Sequence, residues 1–348
     1  MRVGIIKGSG TGSELAEVFK HTIGTICNYF SQKLEIVECQ HIFSTYTQNR
    51  HDDPEMIETK VTTDVRILSD FYSDFCQSGG NVVFRTAINA ETLYLFRQKA
   101  KAIQTALIPL GMKKMLLVRD EMQGYYSNSS WKIEQETVHF SGQFSKKDFS
   151  QVIRFARQHA VSVLRKPFHI WVVYKHHLFA NFLETWVREE CPRARFYQPN
   201  HATEELFRYH RDTNDMEDIL FIAGNEVGDI LHEVFLYQFG VGTRTCLCSR
   251  NVFLHPDYAT LTEYQTVHGS ADEIADKGIV NPFATLRCVG EILEGFFSCE
   301  NFRQMMEDVI GNAIKNGKVT PDMGGTFSTW DVVKHVIRTL PMNIVKQQ

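Results

Sequence analysis

The stretch Val267–Pro282, VHGSADEIADKGIVNP, constrains the chain more than any other. Its small residues Gly269, Ser270, Ala271 and Gly278 let backbone amides approach a bound phosphate or sugar closely, and a histidine, acidic groups and a closing Asn-Pro accompany them. Gly, Ser and Asp also fill ordinary surface turns, so the composition alone leaves both readings open. The next segment is unambiguous. Phe283, Leu286, Val289, Ile292, Leu293 and Phe296 recur at helical spacing, so the loop opens onto a buried helix.

A chain of 348 residues suits one large or two medium domains. Its hydrophobic share of 43% and charged share of 22%, with 25 Phe and 12 Tyr, supply ample core. The formal net charge of −4 and the lack of a Lys/Arg-rich tract argue against nucleic acid as a partner. Eight cysteines are scattered without CxxC pairs and read as reduced core residues; in a strand, Cys246 and Cys248 would share a face. No stretch approaches the ~20 apolar residues of a membrane span, and the opening MRVGIIKGSG has no signal-peptide core. The expectation is a cytoplasmic or organellar-matrix protein with no membrane contact.

Along the chain, strand-like and helical runs alternate. Arg2–Lys7 reads as a strand, followed by the glycine loop GSGTGSE and a helix carrying Leu15, Val18, Phe19, Ile23 and Ile26. The glycine spacing is not the dinucleotide fingerprint, and such turns are common in α/β proteins. Leu34–Cys39, Asn81–Phe84, Met115–Val118, Ile170–Tyr174 and Asp218–Ala223 read as strands, and Met56–Leu68, Val152–Leu164 and Leu178–Cys191 as helices. Trp131–Phe144 alternates like a pair of strands. Arg85, Arg97 and Arg119 follow apolar runs; each is either a surface cation or, if the three converge, a planar fork for a substrate with several carboxylates. Asp229 and Glu233, four apart, share a helix face and could offer oxygens to one hard cation, although such pairs also arise by chance.

These stretches together resemble the isocitrate and isopropylmalate dehydrogenases, the beta-decarboxylating dehydrogenases. His268, Gly269, Ser270, Ala271, Ile274, Ala275, Lys277, Gly278, Ile279, Asn281 and Pro282 match that family's nucleotide loop, with Asp272 in place of Pro and Glu273 in place of Asp. Asn81 with Arg85, Leu93-Tyr94 with Arg97, Arg119 with Gly124 and Tyr126, and Asn225-x-x-Gly228-Asp229-Ile230-Leu231 match further motifs. So do Lys175 and the ending Asp322-x-Gly324-Gly325 with Ser328-Thr329. ILSDFYSDFCQ does not resemble the family's Lys-Gly-Pro-rich loop at the nicotinamide end.

The resemblance implies an α/β doubly wound fold, with a large domain from both chain ends (1–100 plus 255–348) and a smaller middle domain (101–254). It also implies NAD-dependent oxidative decarboxylation of a 2-hydroxy di- or tricarboxylic acid, aided by Mg2+ or Mn2+. In that reading Asn81, Arg85, Arg97 and Arg119 bind the hydroxy-carboxylic acid. Asp229, Glu233 and Asn200 hold the metal, and His268, Gly269, Ser270, Ala271, Glu273 and Asn281 hold NAD. Lys175, from the partner of a homodimer and with neighbouring cations favouring its neutral amine, takes the hydroxyl proton; Tyr126 protonates the enol. Glu273 favours NAD because an acid accepts the ribose 2′-hydroxyl and repels a 2′-phosphate. The rival expectation is a regulatory subunit of the same fold that binds small molecules and pairs with a catalytic paralogue, motivated by Glu233 in place of the family's Asp and by the altered nicotinamide loop.

Overall fold

The computed structural model describes residues 1–49, 52–124, 132–134, 137–139, 142–175, 182–212, 214–239, 247–297 and 301–340. The first elements are β1 (Arg2–Gly8), α1 (Gly12–Tyr29), β2 (Glu35–Phe43), α2 (Tyr46–Asn49), α3 (Pro54–Gln77), β3 (Val82–Arg85) and α4 (Ala90–Ala100). The middle of the chain supplies β4 (Ala102–Leu110), β5 (Lys113–Asp120), β6 (Lys132–Glu134), β7 (Thr137–His139), α5 (Lys146–Val163), β8 (Phe168–Val173), α6 (Phe182–Glu190), β9 (Arg195–Tyr197), α7 (Pro199–Arg211), β10 (Asp218–Gly224) and α8 (Asn225–Gln238). The chain then returns through β11 (Cys248–Phe253), β12 (Thr262–Thr266), α9 (Phe283–Phe297), α10 (Phe302–Lys315) and α11 (Thr329–Thr339). It divides into two compact units: Met1–Leu93 with Arg244–Arg250 and Thr260–Gln348, and Tyr94–Thr243 with Asn251–Ala259.

In the first unit the strand order is β2-β1-β3-β12, all parallel. Side chains alternate across a strand, and β1 shows what each face needs. Val3 and Ile5 enter a core built with α1, α9, α10 and α11. Gly4 points the other way, where an added Cβ would lie 3.4 Å from ring atoms of both Phe71 and Phe75 on α3. Helices therefore cover both faces. α3 starts at a Pro behind the Asp53 cap and runs to Gln77, so ILSDFYSDFCQ is helical and packs its aromatic rings inward.

In the second unit the order is β4-β5-β10-β8-β9, with β4 antiparallel to β5 and the rest parallel. Leu116, Val118, Leu220, Ile222 and Val172 pack on α5 and α6. Their strand neighbours Met115, Leu117, Ile219, Phe221, Trp171 and Val173 pack on α7 and α8. Burial on both faces explains why β10, DILFIAG, is buried at every position. No helix of the described residues is long and apolar enough to cross a membrane.

Candidate functional site

In the first unit, β1, β3 and β12 run parallel, so the loops after their C-terminal ends share one edge, where α/β sheets bind ligands. The Gly8–Gly12 turn docks on the loop after β12: Thr11 donates to the Ser270 carbonyl through its backbone N–H at 3.0 Å and its hydroxyl at 2.8 Å. Gly10 has φ of +67° and no room for a side chain, since a Cβ would meet the Ser270 carbonyl at 2.7 Å. Asp272, where the family has Pro, accepts from Ser270 and, at 3.2 Å, from Thr45, so this exchange still leaves an ordered loop. Asn281 is buried, donates to Asp322 at 2.9 Å and accepts from the Phe283 amide at 3.0 Å. It ties the loop to the Asp-x-Gly-Gly segment.

His268 and Glu273 of this loop offer groups a ligand could use. His268 binds the Gly269 carbonyl through Nδ1 at 2.8 Å, and burial pulls its pKa below the ordinary range. A carbonyl only accepts, so Nδ1 carries the proton and Nε2 of the neutral ring is an acceptor. That Nε2 is buried with no hydrogen-bond partner. Glu273 is exposed on the same loop.

Arg85 and Asn81 do not form a substrate pair. Asn81 lies before the N-terminal end of β3, where its carbonyl accepts the Thr262 amide at 2.8 Å, while Arg85 ends that strand about 13 Å along. Arg85 is 1% exposed and faces Glu263 with Nε and Nη2 at 3.1 and 3.2 Å; its Nη1 donates to the Thr86 carbonyl at 2.9 Å. Tyr72 of α3 donates its hydroxyl to the same Glu263. The arginine is fixed by an internal carboxylate and is structural.

The second unit gathers its polar side chains at the C-terminal ends of β5, β8 and β10, where Ala223 pairs with both Arg119 and Val173. Arg119 is buried and donates to Gln104 and Asn225 at 2.5 Å each; its nitrogens also lie 3.2 Å from Glu121 and from Asp229. Gly228 makes this possible, because a Cβ there would sit 2.6 Å from Cγ of Arg119. The Asn-x-x-Gly-Asp motif is thus a cradle for one arginine. Arg97, near the end of α4, donates to Glu121 at 2.9 Å, so Glu121 holds both guanidiniums in one buried group. Asp229 and Glu233 lie one turn apart on α8, with Glu233 exposed. Asn200 is exposed at the start of α7. Among the described residues no three His, Cys, Asp or Glu side chains gather as a metal site. Lys175 is exposed just past β8, and Tyr126 lies outside the described residues.

Sequence reasoning missed Glu121 and Asp120. Asp120 is fully buried and accepts from Gln123 at 2.7 Å, the Met122 amide at 3.0 Å and Tyr174 at 3.3 Å. Tyr174 precedes Lys175, and its ring covers Gly224, where a Cβ would come within 2.9 Å. The only signal was an acidic pair at the end of a buried strand. Burial pushes the Asp120 carboxyl up to about 7 from 3.8, against the pull of its three donors. Below about pH 4 it is protonated in both folded and unfolded chains; above that the unfolded chain releases the proton first, so stability falls as pH rises towards 7. Between about pH 5 and about pH 8 the loss is on the order of 3 kcal/mol, and Asp120→Asn should remove that part of the slope. Urea midpoints of both proteins at the two pH values test it, and equal slopes would contradict it.

The isocitrate/isopropylmalate dehydrogenase family model matches residues 86–336, most of the chain, and the chain belongs to that family. It is 29% identical over 238 residues to a tartrate dehydrogenase/decarboxylase of Pseudomonas putida, covering 65% of this chain and 63% of that protein. It is 33% identical over 127 residues to 3-isopropylmalate dehydrogenase B of Aspergillus niger, covering 35% and 33% respectively. The matches thus span less than two thirds of these relatives' own lengths. Isocitrate dehydrogenase from Methylococcus capsulatus superposes with a TM-score of 0.66 at 16% identity, covering 97% of this chain and 98% of that one. A beta-decarboxylating dehydrogenase from Thermococcus kodakarensis gives 0.62 at 19%, covering 99% and 96%. These two likenesses show the fold.

Proposed function

We propose that the protein oxidises and decarboxylates a small 2-hydroxy acid bearing a second carboxylate, with NAD as hydride acceptor and Mg2+ or Mn2+ as helper. The observation that carries this reading is the Arg119 cradle. An arginine held by Asn225, Gln104, Glu121 and Asp229 beside Arg97, at the strand ends that also deliver Lys175, is a preorganised anion receptor with a base nearby. Family membership and relatives named for tartrate and isopropylmalate support the substrate class.

The residues present fit both helpers. The orphaned His268 Nε2 acceptor suits the exocyclic amine of adenine, and exposed Glu273 suits a ribose hydroxyl. Asp229 and Glu233 share a helix face, and Mg2+ commonly takes only one or two carboxylates, completing its shell with substrate and water. Bound there, the cation would acidify the substrate hydroxyl, and the nicotinamide would accept the hydride. The chain's own contribution is separate. Arg97 and Arg119 orient the carboxylates, Lys175 accepts the hydroxyl proton, and Tyr126 returns one to the product carbon. A homodimer, with Lys175 serving a second copy, is part of this proposal.

A second reading is a small-molecule-binding regulatory subunit paired with a catalytic paralogue. It is favoured by Glu121 and Asp229, whose two carboxylates already offset the charges of Arg97 and Arg119, and by Arg85, which Glu263 withdraws from ligand binding. Glu273→Lys tests the coenzyme loop. A charge-assisted hydrogen bond is worth roughly 1.5–3 kcal/mol, so NADH affinity should fall about tenfold or more in a fluorescence titration. Unchanged affinity would exclude Glu273 from coenzyme binding.

A further inference from the structure

At the opposite end of the second unit's sheet is a groove of about 980 Å³ that the dehydrogenase chemistry does not use. It lies towards the edge where β8 and β10 begin, at Phe168 and Asp218, and reaches up to Arg195, which starts β9 level with Trp171 of β8, whereas Arg119, Lys175 and Asn225 stand at or beyond the strands' C-terminal ends. The length of β8 alone separates the two edges by about 20 Å. Five permanent cations line the groove, Arg154, Arg157, Lys166, Arg193 and Arg195, against one carboxylate, Glu217. In a chain of net charge −4 this is a local concentration.

The existing partners do not account for it. Glu190 takes Arg154 in a fork at 2.9 and 2.5 Å, and its carbonyl takes Arg157 at 2.5 Å. Glu217 is turned to His169 at 3.6 Å, and that histidine is held by Asp215 at 2.8 Å. Among the described residues Lys166, Arg193 and Arg195 have no ion pair, and all three are exposed. Like charges gathered without counter-charges repel one another, and a bound polyanion relieves that repulsion. The lining is also part apolar. Phe168, Ile170 and Pro167 carry it, and Val161 is 50% exposed. The cavity volume falls at the upper end of the roughly 300–1,000 Å³ usual for small-molecule sites.

We propose that this groove is a second binding site, for a nucleoside polyphosphate. Lys166, Arg193 and Arg195 hold the phosphates as point charge and planar forks, and the apolar lining receives the base. This site is independent of the coenzyme loop.

Calorimetric titration with ATP tests it, using the full chain and the exposed charge reversal R193E/R195E, with circular dichroism confirming the fold of each. The expected result is saturable ATP binding to the wild-type protein, weaker binding of tripolyphosphate, and at least a tenfold loss of ATP affinity in the variant. Should that variant misfold, K166E takes its place with the same expectation. Four results would overturn the proposal: no saturable ATP binding, ATP affinity unchanged by the substitutions, tripolyphosphate binding as tightly as ATP, or an oligonucleotide binding this face more tightly than ATP.

Discussion

Replacing Glu263 by alanine is expected to destabilise the protein by about 3–5 kcal/mol, the usual cost of breaking a buried ion pair from one side. The reason is Arg85. It is 1% exposed, Glu263 is 2% exposed, and the pair joins the neighbouring parallel strands β3 and β12 of the first unit's sheet. Alanine leaves the guanidinium charged and buried without its carboxylate, and removes an acceptor of the hydroxyl of Tyr72, which is also fully buried. Removing both charges differs. Arg85→Met with Glu263→Leu should recover most of the loss, because apolar replacements of similar volume avoid the desolvation cost. Urea unfolding of the single and double variants measures both effects. A single-variant loss below about 1 kcal/mol would mean that the pair does not hold the strands.

Lys175→Ala should lower turnover by about 10²–10⁴-fold, the usual contribution of a general base. Lys175 is exposed at the end of β8, so stability should change by no more than about 0.5 kcal/mol. Lys175→Arg should not rescue the rate, because a guanidinium cannot give up its proton. Steady-state rates beside urea midpoints separate the two effects. A stable Lys175→Ala protein with full turnover would put the base elsewhere.

Much of the fold was legible because the period of apolar residues changes where the structure changes. The run at Asp218–Gly224 is buried on both faces and reads as an uninterrupted apolar strand; Leu15 to Ile26 and Phe283 to Phe296 read as helices because their apolar residues recur every three or four positions. The Asn225-x-x-Gly228-Asp229 pattern was legible too, and the structure adds its cause, since each of the three residues serves Arg119. Long-range partners were not legible. Arg85 and Glu263 are separated by 178 positions, and nothing local marks Glu263 as the carboxylate that turns an apparent substrate ligand into a core residue. Glu121 was hidden for the same reason: it lies two positions after Arg119, yet its hydrogen bond to Arg97 comes from another element. The ILSDFYSDFCQ segment, which does not match the family pattern, is helix, with Tyr72 and Phe75 spent on the core.

The central claim is that this chain turns over a 2-hydroxy acid. The direct measurement is the absorbance of reduced nicotinamide when the protein alone is mixed with NAD, Mn2+ and, in turn, isocitrate, isopropylmalate, homoisocitrate, tartrate and malate. A rise is predicted with at least one of these acids, accompanied by release of carbon dioxide and abolished by Lys175→Ala. Folded protein that gives no signal with any acid would contradict the claim and leave the regulatory reading in its place.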